Sequence, residues 1–198
     1  MSLEGFKARF KFNPTLAGCI GVEQELFITD RARNIVPAAA HVLAHTDKSY
    51  DFGYELSACQ LETRTGPACR HELRGALDQT RVQLYALLDS LGYRASHREV
   101  GPKDMPLDVF PDPSGRYQQI TKNMPAEIFL AACRVIGTHV HIGMRDYEEA
   151  LRVYTYVIQH LEKLRELGNG SFGECLAIYR QMAPDYKPEP YIDWNHYY

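Results

Sequence analysis

Three short segments of the sequence place acidic or imidazole side chains at the two-residue spacing of a β-strand. Glu23 and Glu25 lie in GVEQELFITD, and Glu62 lies in QLETRTG. His139 and His141 lie in GTHVHIG. Because residues two apart in a strand point to the same side, we expect each pair to share one face. If the three strands are neighbours, these side chains would line one acid-rich concavity with histidine at its rim.

Two neighbouring carboxylates need a compensating positive charge, because burying ionised acids without partners is costly. A divalent cation between them would remove the repulsion. Oxygen-rich sites with one imidazole are typical of Mg²⁺ or Mn²⁺, whereas Zn²⁺ prefers nitrogen and sulfur ligands. Glu55 lies at an odd spacing from Glu62, so the two acids can converge only if the chain bends or bulges in SACQ.

The elements that must position these residues follow from the pattern of apolar residues and turn residues. Predicted strands cover 18–29, 54–65 and 134–144, and predicted helices cover 38–46, 70–91, 117–125, 146–168 and 171–182. The acidic strands alternate polar and apolar residues, which argues against a parallel sheet that is covered on both sides. We therefore predict an α+β fold with a mainly antiparallel sheet, helices on one face and a wet functional face. On the last strand we expect Val140 and Ile142 to point inward.

Composition limits the classes of function. A chain of 198 residues with 45% hydrophobic residues can bury one sizeable core, so 1–198 is predicted to be a single domain. The net charge is −3 and the basic residues are scattered, so no nucleic acid is expected as a partner. No apolar run is long enough to span a membrane, and no signal peptide is recognisable. Five cysteines without a CxxC pair are typical of reduced thiols, which predicts a cytoplasmic protein.

The order of the three motifs resembles that of a known family. GVEQE, then ELSACQLETRTGP, then GTHVHIG match the patterns GvExE, E-x6-E-x-x-T-G-P and G-x-HVH-x-G of the glutamate–cysteine ligase type 2 family, also called carboxylate–amine ligases. The resemblance implies a curved antiparallel sheet like that of the glutamine synthetase catalytic domain. It also implies ATP and Mg²⁺ as cofactors and the formation of an amide through an acyl phosphate.

The resemblance also implies roles for individual residues. The implied metal ligands are Glu23, Glu25, Glu55, Glu62 and His139. The implied ATP-binding residues are Glu23, Glu62, His139 and His141. Arg116 in RYQQ and Arg180 in IYR are looser matches to the segments that contact substrate. Both are expected to be catalytic residues that hold a substrate carboxylate, which the planar guanidinium fork suits well.

Members of this family are considerably longer than the present chain, and their second half supplies further strands and ligands. We therefore expect a homo-oligomer or a partner subunit to complete the site. The expected substrates are a small-molecule amino acid, or another carboxylate, and an amine. Two alternatives remain open: a non-catalytic subunit that binds nucleotide or metal, and a metal-dependent hydrolase that uses the HxH motif and the acids.

Overall fold

The computed structural model describes residues 2–47, 51–185 and 188–198, and it has an α+β fold with an open antiparallel sheet. The predicted class is therefore confirmed. The strands are β1 (Ile20–Thr29), β2 (Phe52–Tyr54), β3 (Gln60–Arg64), β4 (Arg94–Ser96) and β5 (Thr138–Ile142). The helices are α1 (Leu3–Lys7), α2 (Ala39–Leu43), α3 (Leu73–Ser90), α4 (Arg116–Thr121), α5 (Ala126–Arg134), α6 (Tyr147–Gln159), α7 (Leu161–Leu167), α8 (Glu174–Met182) and α9 (Trp194–Tyr197).

Strand β1 organises the sheet because it is long enough to pair with three other strands. One of its edges pairs with β3, and β3 in turn pairs with β2. Its other edge is shared: β5 pairs with residues 20–24 and β4 pairs with residues 27–29. All of these pairings are antiparallel. The motif segments predicted from the sequence therefore lie side by side as β3, β1 and β5.

The main hydrophobic core lies between one face of the sheet and helices α2 and α3. Leu26, Ile28 and Leu61 point from the strands into this core. Leu84 and Leu88 of α3 meet them and are almost fully buried. The leucine spacing that predicts α3 from the sequence therefore corresponds to the helix face that packs on the sheet.

Helices cover both faces of the sheet, whereas the sequence predicts helices on one face. Phe27 points away from the main core and is fully buried among Met105, Cys133 and Ile136. The loop before α4 and the α5 segment cover this second face, so residues 26–29 are buried without alternation. The wet face is consequently confined to the part of β1 that pairs with β5 and to the facing part of β3.

Strand β5 also departs from the prediction, because its apolar side chains do not point inward. Val140 is 61% exposed and Ile142 is 48% exposed. Helix α6 follows β5 but packs against aromatic residues near the chain ends instead. The Trp194 indole N–H donates to the Tyr147 carbonyl at 3.1 Å, and the two rings meet edge to face.

Several element boundaries differ from those predicted. The stretch 54–65 is divided into β2 and β3, with the expected bend at residues 55–59. Helix α5 was not predicted, and the expected helix over 146–168 is divided at His160 into α6 and α7. Asp146 caps α6, since its Oδ1 accepts the Glu149 N–H at 2.9 Å.

Candidate metal and active site

The strand register places the motif residues opposite one another. Glu25 of β1 is paired with Glu62 of β3, and Glu23 is paired with Arg64 of β3 on one side and with His139 of β5 on the other. Side chains at opposed positions of antiparallel strands have Cβ atoms about 4.5–5.5 Å apart. Three strands therefore deliver these side chains to one surface of the sheet.

Two groups of potential metal ligands result, and Glu62 belongs to both. One group contains Glu23, Glu62 and His139, and the other contains Glu25, Glu55 and Glu62. Within each group, one ligand atom per residue lies within 4.8 Å of the others. Opposite oxygens around an octahedral Mg²⁺ lie about 4 Å apart, so small side-chain movements would close either group on an ion. The donor set of carboxylates and one imidazole fits Mg²⁺ or Mn²⁺.

Glu55 reaches the site through the bend that follows β2. Burial, together with the neighbouring Glu25 and Glu62 carboxylates, raises the pKa of Glu55 to about 8. Burial also raises the pKa of Glu25, although the Gly137 N–H donates a 2.7 Å hydrogen bond to its carboxylate. Without a cation the site therefore retains a proton among its acids at neutral pH, and a bound cation would favour the release of that proton.

Glu23 is held by both histidines of β5. Its Oε2 lies 2.8 Å from His141 Nε2 and 3.3 Å from His139 Nδ1. These hydrogen bonds, the one from His141 above all, lower the pKa of Glu23. His139 also reaches towards Glu25, with Nε2 at 3.7 Å from Oε1. His141 lies outside both ligand groups and contacts the site through Glu23.

Arg64 is a site residue that the sequence analysis did not assign. Its Nη2 lies 2.7 Å from Glu62 Oε1, and its Nε lies 3.7 Å from Glu23 Oε1. Nη1 also lies 3.5 Å from Asp51. Gly53 of β2 allows this position, because a Cβ at Gly53 would lie 2.5 Å from Arg64 Nη2. The positive charge between the Glu23 and Glu62 carboxylates is thus the guanidinium of Arg64. The sequence indicates it only by the two-residue spacing of Arg64 from Glu62, which places both side chains on one face of β3.

The two arginines expected to contact substrate lie farther from the ligand groups. Arg116 is exposed at the start of α4, and its guanidinium lies 5.9 Å from the Tyr117 ring. Burial raises the pKa of Tyr117, and the Glu55 carboxyl adds to this shift while Arg116 opposes it. Arg180 is exposed on α8 and lines a separate cavity of about 320 Å³. The structure does not bring Arg180 to either ligand group.

A larger cavity, of about 760 Å³, adjoins the ligand groups at Glu25. Its walls carry the Arg81 guanidinium and the Glu25 and Glu99 carboxyls. They also carry His97, whose pKa is lowered by burial and by the Arg81 charge. The Tyr85 hydroxyl lies 3.3 Å from His97 Nε2. Cavities of this size are typical of small-molecule sites. Sequence reasoning missed this cavity because most of its lining residues come from separate elements outside the three motifs.

Comparison with known proteins identifies the family of the chain. The model of glutamate–cysteine ligase family 2 matches residues 19–167, which include β1 to β5 and all of the ligand residues. The chain belongs to this family.

The curated relatives of this family 2 chain are provisionally named glutamate–cysteine ligases. A protein from Rubrobacter xylanophilus is 30% identical over 164 residues, which cover 78% of this chain and 43% of the relative. One from Mycobacterium sp. strain KMS is 30% identical over 179 residues, covering 84% and 44%. One from Nocardia farcinica is 27% identical over 184 residues, covering 90% and 45%. The chain thus spans less than half the length of these relatives.

Within the described residues of this family 2 chain, every helix is too short or too polar to cross a lipid bilayer.

Proposed function

We propose that the protein acts as an ATP- and Mg²⁺-dependent carboxylate–amine ligase, related in reaction to glutamate–cysteine ligases. The observation that carries this proposal is the position of Glu62, a buried carboxylate shared by two groups of potential ligands. A site with a shared carboxylate suits two neighbouring cations. Enzymes that transfer a phosphoryl group rely on such cations for positioning and charge neutralisation.

The reaction requires activation of a carboxylate. A free carboxylate is a poor acyl donor, whereas the acyl phosphate formed with the γ-phosphoryl group of ATP can be attacked by an amine. Mg²⁺ bound by these acids would neutralise the phosphate oxygens during the transfer. Glu23, Glu62, His139 and His141 are the proposed residues at the nucleotide phosphates. Arg64 keeps Glu62 and Glu23 oriented through its ion pairs.

The proposed substrates are an amino acid, or another carboxylate, and an amine. The cavity of about 760 Å³ beside Glu25 supports this assignment, because its basic and acidic walls suit a small molecule that carries both charges. Arg116 remains a proposed substrate contact, since its guanidinium lies 5.9 Å from the Tyr117 ring, whose pKa the Glu55 carboxyl also raises. Arg180 also remains a proposed substrate contact, because the cavity that it lines shares Glu99 and Tyr179 with the larger cavity. The proposed location of the reaction is the cytoplasm.

A second candidate function is that of a non-catalytic subunit that binds nucleotide or metal. The exposed strand β5 supports it, because Val140 and Ile142 offer apolar surface at the edge of the sheet. An edge strand of this kind favours pairing with another chain. The same edge supports a homo-oligomer or a partner subunit in the ligase proposal. The hydrolase alternative gains no support from the donor set, in which each group has at most one imidazole.

The deciding experiment measures phosphate release from ATP with Mg²⁺ in the presence of pooled amino acids. Release that depends on an amino acid supports the ligase, and nucleotide binding without release supports the binding subunit. Glu62→Ala is expected to abolish Mg²⁺-dependent ATP binding while circular dichroism shows a folded chain. Unchanged nucleotide affinity in this variant would refute the assignment of the metal site.

A further inference from the structure

Two thiols face each other at the start of β1, outside the ligand groups. Ile20 and Ala68 form an antiparallel bridge in which each N–H donates to the other carbonyl, at 2.8 and 2.9 Å. Continuing this antiparallel register by one residue places Cys19 opposite Cys69. Opposed residues next to a hydrogen-bonded pair have Cα atoms about 4.5 Å apart. A disulfide spans Cα separations of about 4.4–6.8 Å, so the backbone is already suited to one.

The side chains agree with the backbone register. Cys69 is exposed and Cys19 is partly exposed. The Glu72 carboxylate raises the pKa of Cys69, and the Cys19 thiol is near enough to add to this shift. Cys59 and Cys133 differ from this pair in accessibility. Both are fully buried, and burial raises the pKa of Cys59 to about 11 and that of Cys133 to about 12. Because the thiolate is the reactive form and must be accessible, the buried thiols are expected to be inert.

We propose that Cys19 and Cys69 form a reversible oxidation site that takes a low-molecular-weight disulfide as its oxidant. The exposed Cys69 gives its proton to solvent, and its thiolate attacks one sulfur of the small disulfide. The sulfur–sulfur bond of the small disulfide breaks, and one small thiolate leaves. Deprotonated Cys19 then attacks the Cys69 sulfur, forming the protein disulfide and expelling the second small thiolate. Two protein thiols are oxidised, and one small disulfide is reduced to two thiols.

The cross-link would act on the strands that hold the candidate site. The segment after β3 already runs along β1, since the Val22 N–H donates to Thr65 Oγ1 and the Thr65 N–H donates to the Val22 carbonyl, each at 3.0 Å. Glu23 follows Val22, and Arg64 precedes Thr65. A disulfide between Cys19 and Cys69 therefore ties together the two backbones that position Glu23 and Arg64. It also closes a long loop, which stabilises the folded state.

Glutathione disulfide is a suitable probe, and the inference does not depend on ligase activity. After incubation of the purified chain, a peptide map without reduction is expected to show the Cys19 peptide linked to the Cys69 peptide within one chain. The thermal midpoint is expected to rise and to return to its starting value with dithiothreitol. Mixed disulfides that persist on the wild type, cross-links between chains, or an unchanged midpoint would overturn the proposal.

Three serine variants complete the test. Cys19→Ser is expected to leave a stable mixed disulfide on Cys69 and to abolish the rise of the midpoint. Cys69→Ser removes the exposed thiol of the pair and should also abolish the cross-link. A folding defect in one of these two variants therefore does not end the test. Cys175→Ser is the matched control, because Cys175 is also partly exposed but lies on α8. It is expected to cross-link like the wild type, and a loss of cross-linking in this variant would contradict the assigned pair.

Discussion

Glu25 lies directly opposite Glu62 across the β1–β3 ladder, and Arg64 lies opposite Glu23 one step along the same side. Like charges at opposed positions of a sheet destabilise it unless a positive charge intervenes. In this site the guanidinium of Arg64 contacts Glu62 at 2.7 Å and leaves Glu25 to the Gly137 N–H and His139. The carboxylates of the site are thus only partly neutralised by the neighbouring positive groups.

Mg²⁺ is expected to stabilise the chain against thermal unfolding. Binding to the folded state alone adds about 2.7 kcal/mol when the ion is at about 100 times its Kd. Differential scanning fluorimetry with and without Mg²⁺ measures the shift of the midpoint, which Glu62→Ala should remove. Glu4→Ala is the control, because Glu4 lies in α1, away from both ligand groups, and its side chain is 84% exposed. A full Mg²⁺ shift in Glu62→Ala would contradict the role of Glu62.

The free energy of unfolding is expected to fall as pH rises from about 4.5 to about 8. The folded Glu55 has a pKa of about 8, whereas its ordinary value is 4.5. Between these values the unfolded chain has lost the proton that the folded chain keeps, so rising pH favours unfolding. Urea titrations across this range measure the slope. Glu55→Gln stays uncharged at every pH and should flatten the slope, and an unchanged slope would show that Glu55 is not the group responsible.

Arg64→Met is expected to destabilise the metal-free chain by about 1–3 kcal/mol. The substitution leaves Glu62, whose side chain is 6% exposed, without its cation. Removing one partner of a buried pair costs about 3–5 kcal/mol, and this value is reduced here because the Arg64 side chain is 40% exposed. Mg²⁺ should restore more stability to this variant than to the wild type, as chemical denaturation can show.

A matched variant distinguishes this effect from a general loss of surface charge. Arg74→Met removes an arginine whose side chain is 94% exposed on α3, so its stability and its response to Mg²⁺ are expected to match the wild type. Equal stability losses in the two arginine variants would mean that the ion pair of Arg64 with Glu62 contributes no more to the free energy of unfolding than an exposed ion pair does.

Leu88→Ala is expected to lower the free energy of unfolding by about 2–5 kcal/mol, because it leaves a cavity where α3 packs on the sheet. Leu88 is 1% exposed in the main core. Val82→Ala in the same helix is the control: Val82 is 68% exposed, and the change should stay within about 0.5 kcal/mol. Denaturant unfolding measures the stability of both variants. Similar losses of stability in the two would contradict the assignment of Leu88 to the buried face of α3 and of Val82 to its exposed face.

The sequence predicts the α+β class, the antiparallel neighbours and the bend that brings Glu55 to Glu62. These features follow from two-residue periodicity, from motif order and from an odd spacing, all of which are local properties of the chain. The metal, nucleotide and substrate roles of the residues remain predictions. The likeness of the sheet to that of glutamine synthetase also remains a prediction.

What the sequence did not predict depends on packing between distant segments. Periodicity shows that Val140 and Ile142 share a face, but not that α6 leaves this face uncovered. Phe27 is buried because α5 and the loop before α4 cross the second face of the sheet. The contact of Arg64 with Glu23 depends on the register of β1 and β3, which the local sequence does not specify.

Strand β5 has β1 as its one strand neighbour among the described residues, and it holds both histidines that contact Glu23. A strand held on a single side can detach without unfolding the main core, and its backbone amides then exchange hydrogen for deuterium sooner than those of β1. Such a detachment would withdraw His139 and His141 together. The imidazole half of the site can therefore be lost and regained as one cooperative unit while the carboxylates of β1 and β3 stay in place.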